Sequence, residues 1–172
     1  MPVVICTPAG ATDNSYVSEA DAAEFFSARL DYPKWLAHTV EDRQRALIQA
    51  TSDIEALGGH KDAVTADRAR FKGAPGTTTQ ALFFPRTTDY GTTGAIIPVD
   101  VVRAVCLQAM YLLDIKSLPD VVNRSRLRSQ GVRSFSIEGL SETLGGTDCP
   151  EGLCSAAWAI MRQYVRVGYP TE

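Results

Sequence analysis

Pro98-Val99-Asp100-Val101-Val102-Arg103-Ala104-Val105-Cys106-Leu107-Gln108-Ala109-Met110-Tyr111-Leu112-Leu113-Asp114-Ile115-Lys116 decides the fold class of this chain. Pro98 suits the first position of a helix, because the N–H it lacks would have no partner there. Val102, Val105, Cys106, Ala109, Met110 and Leu113 make one face, and Val101, Ala104, Leu107, Tyr111 and Leu112 make the other side nearly as apolar. A helix apolar all round is a buried helix. It is expected to be the central element, with earlier helices packed on one side and a further element on the other.

Toward the N-terminus, Thr39 with Asp42 has the form of a capping box, and Leu47, Ala50, Ile54 and Leu57 follow as a single apolar stripe. Gly58-Gly59 ends it, so a helix is expected over about residues 40–57. Its other face carries Glu41, Arg45, Asp53 and Glu55, which reads as a solvated face. Ser18 with Asp21 repeats the capping pattern ahead of Ala22, Phe25, Phe26, Arg29 and Leu30, giving a helix over about 19–30. Asp31-Tyr32-Pro33 breaks it, since proline disfavours helical geometry in the preceding residue. Trp35 and Leu36 are then apolar residues of a connection, docked onto the next helix. Residues 1–12, which include Pro8-Ala9-Gly10, show no usable period and read as an extended N-terminal arm.

Toward the C-terminus, Leu118-Pro119-Asp120 punctuates the chain and a polar stretch follows with Arg124, Arg126 and Arg128. From Val132 the residues alternate, with Arg133, Phe135, Ile137 and Gly139 on one face, which is the period of a strand. Leu140 to Leu144 supplies a partner strand, giving a β-hairpin over 132–144 that turns at Glu138-Gly139. A last helix begins at Pro150 or Glu151, has the stripe Leu153, Ala157, Ile160, Tyr164 and Val167, and stops at Gly168 and Pro170. The expected fold is mainly α: a single domain over 1–172, a small bundle of about four helices with a β-hairpin and a long inserted loop.

That loop spans residues 72–97, rich in Gly, Thr and Pro, and holds the apolar island Leu82-Phe83-Phe84-Pro85-Arg86. Its flanks, Gly73-Ala74-Pro75-Gly76 and Asp89-Tyr90-Gly91, are turn formers without a core of their own. Adjacent phenylalanines must nevertheless be covered, and a neighbouring chain is the expected cover. Leu82, Phe83, Phe84, Pro85 and Arg86, with Phe135 and Ile137 of the hairpin, are therefore the expected subunit interface.

The chain has 172 residues, 45% of them apolar and 22% charged, an ordinary globular composition. No run approaches the length of a membrane span, and Met1-Pro2-Val3-Val4-Ile5-Cys6-Thr7 has neither a basic start nor a long apolar stretch, so the chain reads as cytosolic at synthesis. Seventeen Lys and Arg against 20 Asp and Glu give a net charge of −3, which argues against DNA as the main ligand. Arg124, Arg126, Arg128 and Arg133 form the basic concentration, read either as contacts to DNA phosphate or an acidic partner, or as a solvated connector. Cys6, Cys106, Cys149 and Cys154 include no C-x-x-C spacing, and only His38 and His60 remain as further soft ligands. Reduced, packed thiols and no bound metal are expected.

Motifs for catalysis are missing: there is no phosphate-binding G-x-x-x-x-G-K-[ST], no G-x-S-x-G and no H-E-x-x-H. His38 beside the Thr39 cap and His60 after Gly58-Gly59 occupy positions usual for surface residues. Asp13, Asp21, Glu41 and Asp42 are read as acids at helix N-termini, where they complement the dipole. No cofactor and no enzymatic activity are expected.

Four short motifs in order carry a resemblance: Asn14-Ser15-Tyr16-Val17-Ser18, then Arg45-Ala46-Leu47-Ile48-Gln49-Ala50-Thr51 with Ile54, then Phe84-Pro85-Arg86, then Ile97-Pro98 with Val102 and Ala104. Over residues 12–116 the chain resembles the head-tail adaptor (connector, head-completion) proteins of tailed phages, a family also labelled DnaT-like single-stranded DNA-binding. The family pattern often has Trp where Phe84 stands. The resemblance implies a helical adaptor made in the host cytoplasm and built into the virion neck as a homo-oligomeric ring, usually of twelve copies. Such a ring sits under the portal protein, prolongs the DNA channel without sequence-specific binding, and docks the next neck or tail protein. It carries no residue-level DNA site onto this chain.

Two other classes stand beside it. A sequence-independent single-stranded DNA binder would use the arginine cluster with Phe135 and Tyr90, and its binding would weaken steeply with salt. An enzyme would need a site assembled between subunits around His38 or His60.

Overall fold

The computed structural model describes residues 2–7, 9–58, 71–86, 96–117, 134–137, 140–143, 150 and 152–165. Among them the elements run α1 (Glu19–Ser27), α2 (Tyr32–Ala37), α3 (Val40–Ala56), α4 (Val99–Ser117), β1 (Ser134–Ile137), β2 (Leu140–Thr143) and α5 (Ser155–Met161). The protein is mainly helical, and α4 is the axis on which the others are arranged. Helices α3 and α5 pack along it extensively and α1 touches it more lightly. Val101, Ala104, Val105, Cys106, Ala109 and Leu113 of α4 are all buried.

Both capping boxes form. The Ser18 hydroxyl accepts the Asp21 N–H at 3.1 Å, and Thr39 does the same for Asp42 at 3.1 Å. Helix α1 nevertheless ends at Ser27, short of Leu30, through tighter turns in which Arg29 N–H donates to Phe26 and Tyr32 N–H to Arg29. The Leu30 side chain is 99% exposed, so no apolar contact holds that last turn in the helix. The expected connection is itself a helix, α2, with Pro33 in its first turn, where the absent N–H costs nothing. It carries Trp35 into the core, stacked on Phe26 with ring centroids 4.6 Å apart.

The last helix is shorter than its apolar stripe. Gly152 has φ +83°, a left-handed conformation that turns the chain before the helix, and α5 starts only after Cys154, whose Sγ accepts the Ala157 N–H at 3.2 Å. Beyond Met161 the backbone tightens, Tyr164 is buried, and Val165 forms an isolated antiparallel bridge with Phe71. Strands β1 and β2 pair antiparallel with Ser134 opposite Thr143 and Ile137 opposite Leu140, which places the connection at residues 138–139.

The ends of the described inserted segment are tied down. Lys72 N–H donates to Tyr164 O at 2.9 Å, Gly76 N–H to Pro85 O at 2.8 Å, and Ala81 N–H to Gly10 O at 3.0 Å. The rest of the expected 72–97 loop, residues 87–95, lies outside the described residues. The N-terminal segment is likewise bound to the chain: Ile5 exchanges hydrogen bonds with Asn14, and the buried Asp13 carboxylate accepts the N–H groups of Thr7 and Gly10, each at 2.9 Å. Asp13 is thus a turn-organising acid six residues ahead of α1 and does not complement a helix dipole.

Candidate functional site

The island Leu82-Phe83-Phe84-Pro85-Arg86 is packed into the hydrophobic core of its own chain, which corrects the expectation that a neighbouring chain covers it. Phe83, Phe84, Pro85 and Arg86 are buried and Leu82 is half-buried within one copy. Phe84 meets Tyr16, Phe71 and Tyr164 edge-on at centroid separations of 5.8, 5.0 and 5.6 Å. Phe83 meets Phe71 edge-on at 5.4 Å. The physical reason is polar as much as apolar. A tight aromatic cluster brings backbone groups with it, and each needs a partner once water is gone. Glu55 of α3 accepts the Phe83 N–H at 3.0 and 3.1 Å through its two oxygens and also accepts the Tyr16 hydroxyl, which in turn accepts the Phe84 N–H at 3.0 Å.

Arg86 completes the arrangement from the other side. Its guanidinium donates to the carbonyls of Lys72 at 2.6 Å, Phe83 at 3.4 Å, Phe71 at 3.5 Å and Gly73, so one side chain closes the loop on itself. Burial and the neighbouring Glu55 carboxylate hold the Tyr16 phenol well above its usual range, and it stays protonated and donating. Glu55 and Arg86 are therefore scaffold groups, neither of them on a solvated face.

Asp53, expected on the same solvated face, joins a second junction. Gln108, fully buried in α4, donates to Asp53 Oδ2 and to the Gly152 carbonyl, each at 2.8 Å, and accepts the Cys154 N–H at 2.8 Å. One amide thereby links α3, α4 and the start of α5. The polar character of Gln108 inside an apolar helix was the available sequence signal for this junction.

Four arginines of the described residues, three on the surface and the buried Arg43, are paired with nearby carboxylates. Arg29 lies 3.6 Å from Asp31, Arg43 3.2 Å from Glu19, Arg45 2.6 Å from Glu41, and Arg103 3.4 Å from Asp100. The expected DNA or acidic-partner residues Arg124, Arg126, Arg128 and Arg133 lie outside the described residues, as do Tyr90 and His60. Phe135 and Ile137 are placed by backbone only, on β1 opposite Glu142 and Leu140. His38 caps the end of α2.

Cys6, Cys106 and Cys154 are free thiols, and Cys149 lies outside the described residues. Burial pushes Cys106 up to about 12 and raises Cys6 and Cys154 as well, so none is primed as a thiolate nucleophile. Among the described residues no three His, Cys, Asp or Glu side chains stand close enough to share a metal ion, and no helix is long and apolar enough to cross a membrane.

What remains on the outside is apolar side chains that the core does not use: Val3, Ile5, Leu30, Leu36, Val40, Ile96 and Val99 are all exposed. Val3 and Ile5 share one short segment, Leu36 and Val40 flank the α2–α3 junction, and Ile96 and Val99 lead into α4. Among the described residues these, and not the aromatic island, are the large apolar side chains left exposed.

No curated protein and no solved structure matches the chain. A family model described as "Putative DnaT-like ssDNA binding protein" matches residues 1–139, which takes in every element from the N-terminal segment to β1. The chain belongs to this DnaT-like family.

Proposed function

We propose that the chain is a head-tail adaptor of a tailed phage, a structural protein without enzymatic activity or cofactor. It forms a ring under the portal protein, extends the DNA channel and docks the next neck or tail protein. The observation that carries this reading is where the four ordered motifs meet. Tyr16 from the first touches Phe84 from the third, Tyr16 N–H donates to the Thr51 hydroxyl from the second at 3.3 Å, and Ile97 packs on the same core ahead of α4. Motif residues consumed in one scaffold leave function to the surface, and the described surface offers exposed apolar side chains and paired charges. That combination suits subunit contact. It also suits DNA passage, because each phosphate neutralised by a fixed cation would strengthen binding and slow sliding.

Electron microscopy of the protein mixed with its portal protein tests the reading. Annular density coaxial with the portal supports it; portal rings that stay bare at saturating protein oppose it.

The family match favours a second reading, sequence-independent binding of single-stranded DNA. Arg124, Arg126, Arg128 and Arg133 would supply the phosphate contacts. Binding to an oligonucleotide that falls steeply with salt and is lost when these four are replaced by Ser would support it.

A further inference from the structure

Residues 3–7 form an extended edge that is half built. Exposure alternates strictly, with Val3, Ile5 and Thr7 outward and Pro2, Val4 and Cys6 turned in, the period of a strand. The backbone groups alternate too. Val3 O accepts Asn14 Nδ2, Ile5 N–H donates to Asn14 Oδ1, Ile5 O accepts the N–H of Asn14 and Ser15, Thr7 N–H donates to Asp13, and Thr7 O accepts Gly10 N–H. All of these belong to odd-numbered residues and point at residues 10–15. The N–H and C=O groups of Val4 and Cys6 point to the opposite edge, and among the described residues they have no hydrogen-bond partner.

An open row of this kind is a template for another strand. The same chain holds a candidate. Strands β1 and β2, four residues each, make a two-stranded sheet, and among the described elements their extensive contacts are with each other. A two-stranded hairpin is marginal until a third strand or a packed helix joins it. Among the described residues, one copy therefore carries two edges without a further strand, and they are not joined to each other.

We infer that residues 3–7 of one copy add as a third strand to the 134–143 hairpin of the next copy. The inference rests on the ring reading and deepens it. A contact between two different patches of one chain is heterologous, and when its rotation closes it generates a ring. The main-chain bonds would set the register, and the outward Val3 and Ile5 side chains would be covered by the neighbour.

Cys6→Pro tests the inference, because it removes one outward N–H, leaves the inward bonds of Ile5 and Thr7 in place, and fixes a φ that a strand accepts. Hydrogen exchange of the full-length wild-type chain is followed in parallel, alone at rising concentration and on the portal ring. The expected result is slowed exchange in residues 2–7 and 134–143 together on assembly. Cys6→Pro is expected to keep wild-type helical circular dichroism and to lose at least tenfold in self-association. Assembly by the wild type with unchanged exchange in residues 2–7, or undiminished assembly by folded Cys6→Pro, overturns the strand contact and leaves the ring reading standing. A wild-type chain that stays monomeric both alone and on the portal overturns both.

Discussion

The backbone N–H of Phe84 donates to the Tyr16 hydroxyl oxygen across 3.0 Å, and the two rings meet edge-to-face with centroids 5.8 Å apart. These residues are 68 positions apart, yet each supplies what the other lacks: Phe84 brings an N–H that burial would orphan and a ring that walls the Tyr16 ring, and Tyr16 brings the hydroxyl that accepts that N–H. Through Tyr16 the pair is joined to Glu55, so the N-terminal motif, α3 and the inserted segment fold as one unit.

Phe84→Ala is expected to lower folding stability by about 3–5 kcal/mol, the usual cost of emptying a buried aromatic site. Urea denaturation measures it. A variant of wild-type stability that fails only in assembly would return Phe84 to the subunit interface.

Tyr16→Phe keeps the ring but leaves the Phe84 N–H without the Tyr16 hydroxyl as acceptor and removes one of the donors to Glu55, at a cost of about 1–3 kcal/mol. The same variant changes the response to base. In the unfolded chain a tyrosine loses its proton near pH 10, whereas folded Tyr16 keeps its proton to higher pH. Above that point the unfolded state binds fewer protons, so stability falls as pH rises. Wild-type stability is expected to decline from pH 10 upward, and the part due to Tyr16 to vanish in Tyr16→Phe. Paired urea titrations at pH 8 and above pH 10 read the difference.

Gly58 closes α3 where an added Cβ would stand 2.7 Å from both the Phe71 and Phe83 rings. Gly58→Ala is therefore expected to destabilise by about 1–3 kcal/mol through overpacking, although alanine is the better residue in a helix. Thermal unfolding followed by circular dichroism measures it, and an unchanged or raised midpoint would mean that the aromatic cluster yields easily.

Much of the helical frame was legible in the sequence because it is written in short spacings. Ser18, Thr39 and the stripe through Leu47, Ala50 and Ile54 each act within a few residues, and the all-round apolar α4 announced its own burial. The islands of polar function were not legible for the opposite reason. Glu55 looks like one more acid on a solvated face until Phe83 and Tyr16, 28 and 39 residues away, arrive beside it. Arg86 reads in the sequence as part of a subunit interface, since an arginine next to turn-forming glycines and prolines has no local sign of the carbonyls it will hold. Two adjacent phenylalanines in a loop correctly demanded cover; which molecule supplies the cover is a tertiary fact. The fully exposed Leu30 shows the converse, an apolar residue in helical register that the core never reaches.

Cys106 is buried with its thiol pushed up to about 12, and Cys6 and Cys154 are raised by partial burial. An aromatic disulfide reagent at pH 8 is expected to label Cys106 only on global unfolding, with Cys6 and Cys154 reacting earlier but more slowly than a free peptide thiol. Peptide mapping of the labelled protein identifies each site. Rapid labelling of Cys106 under native conditions would place α4 at the surface and contradict the central position given to it.

The most direct measurement is the mass of the purified protein by light scattering, alone and after mixing with its portal protein. A ring reading requires a species that is a fixed multiple of 18.6 kDa, formed in solution or on the portal. A persistent monomer that ignores the portal but binds single-stranded DNA at low salt would contradict it and leave the family's DNA-binding label as the function.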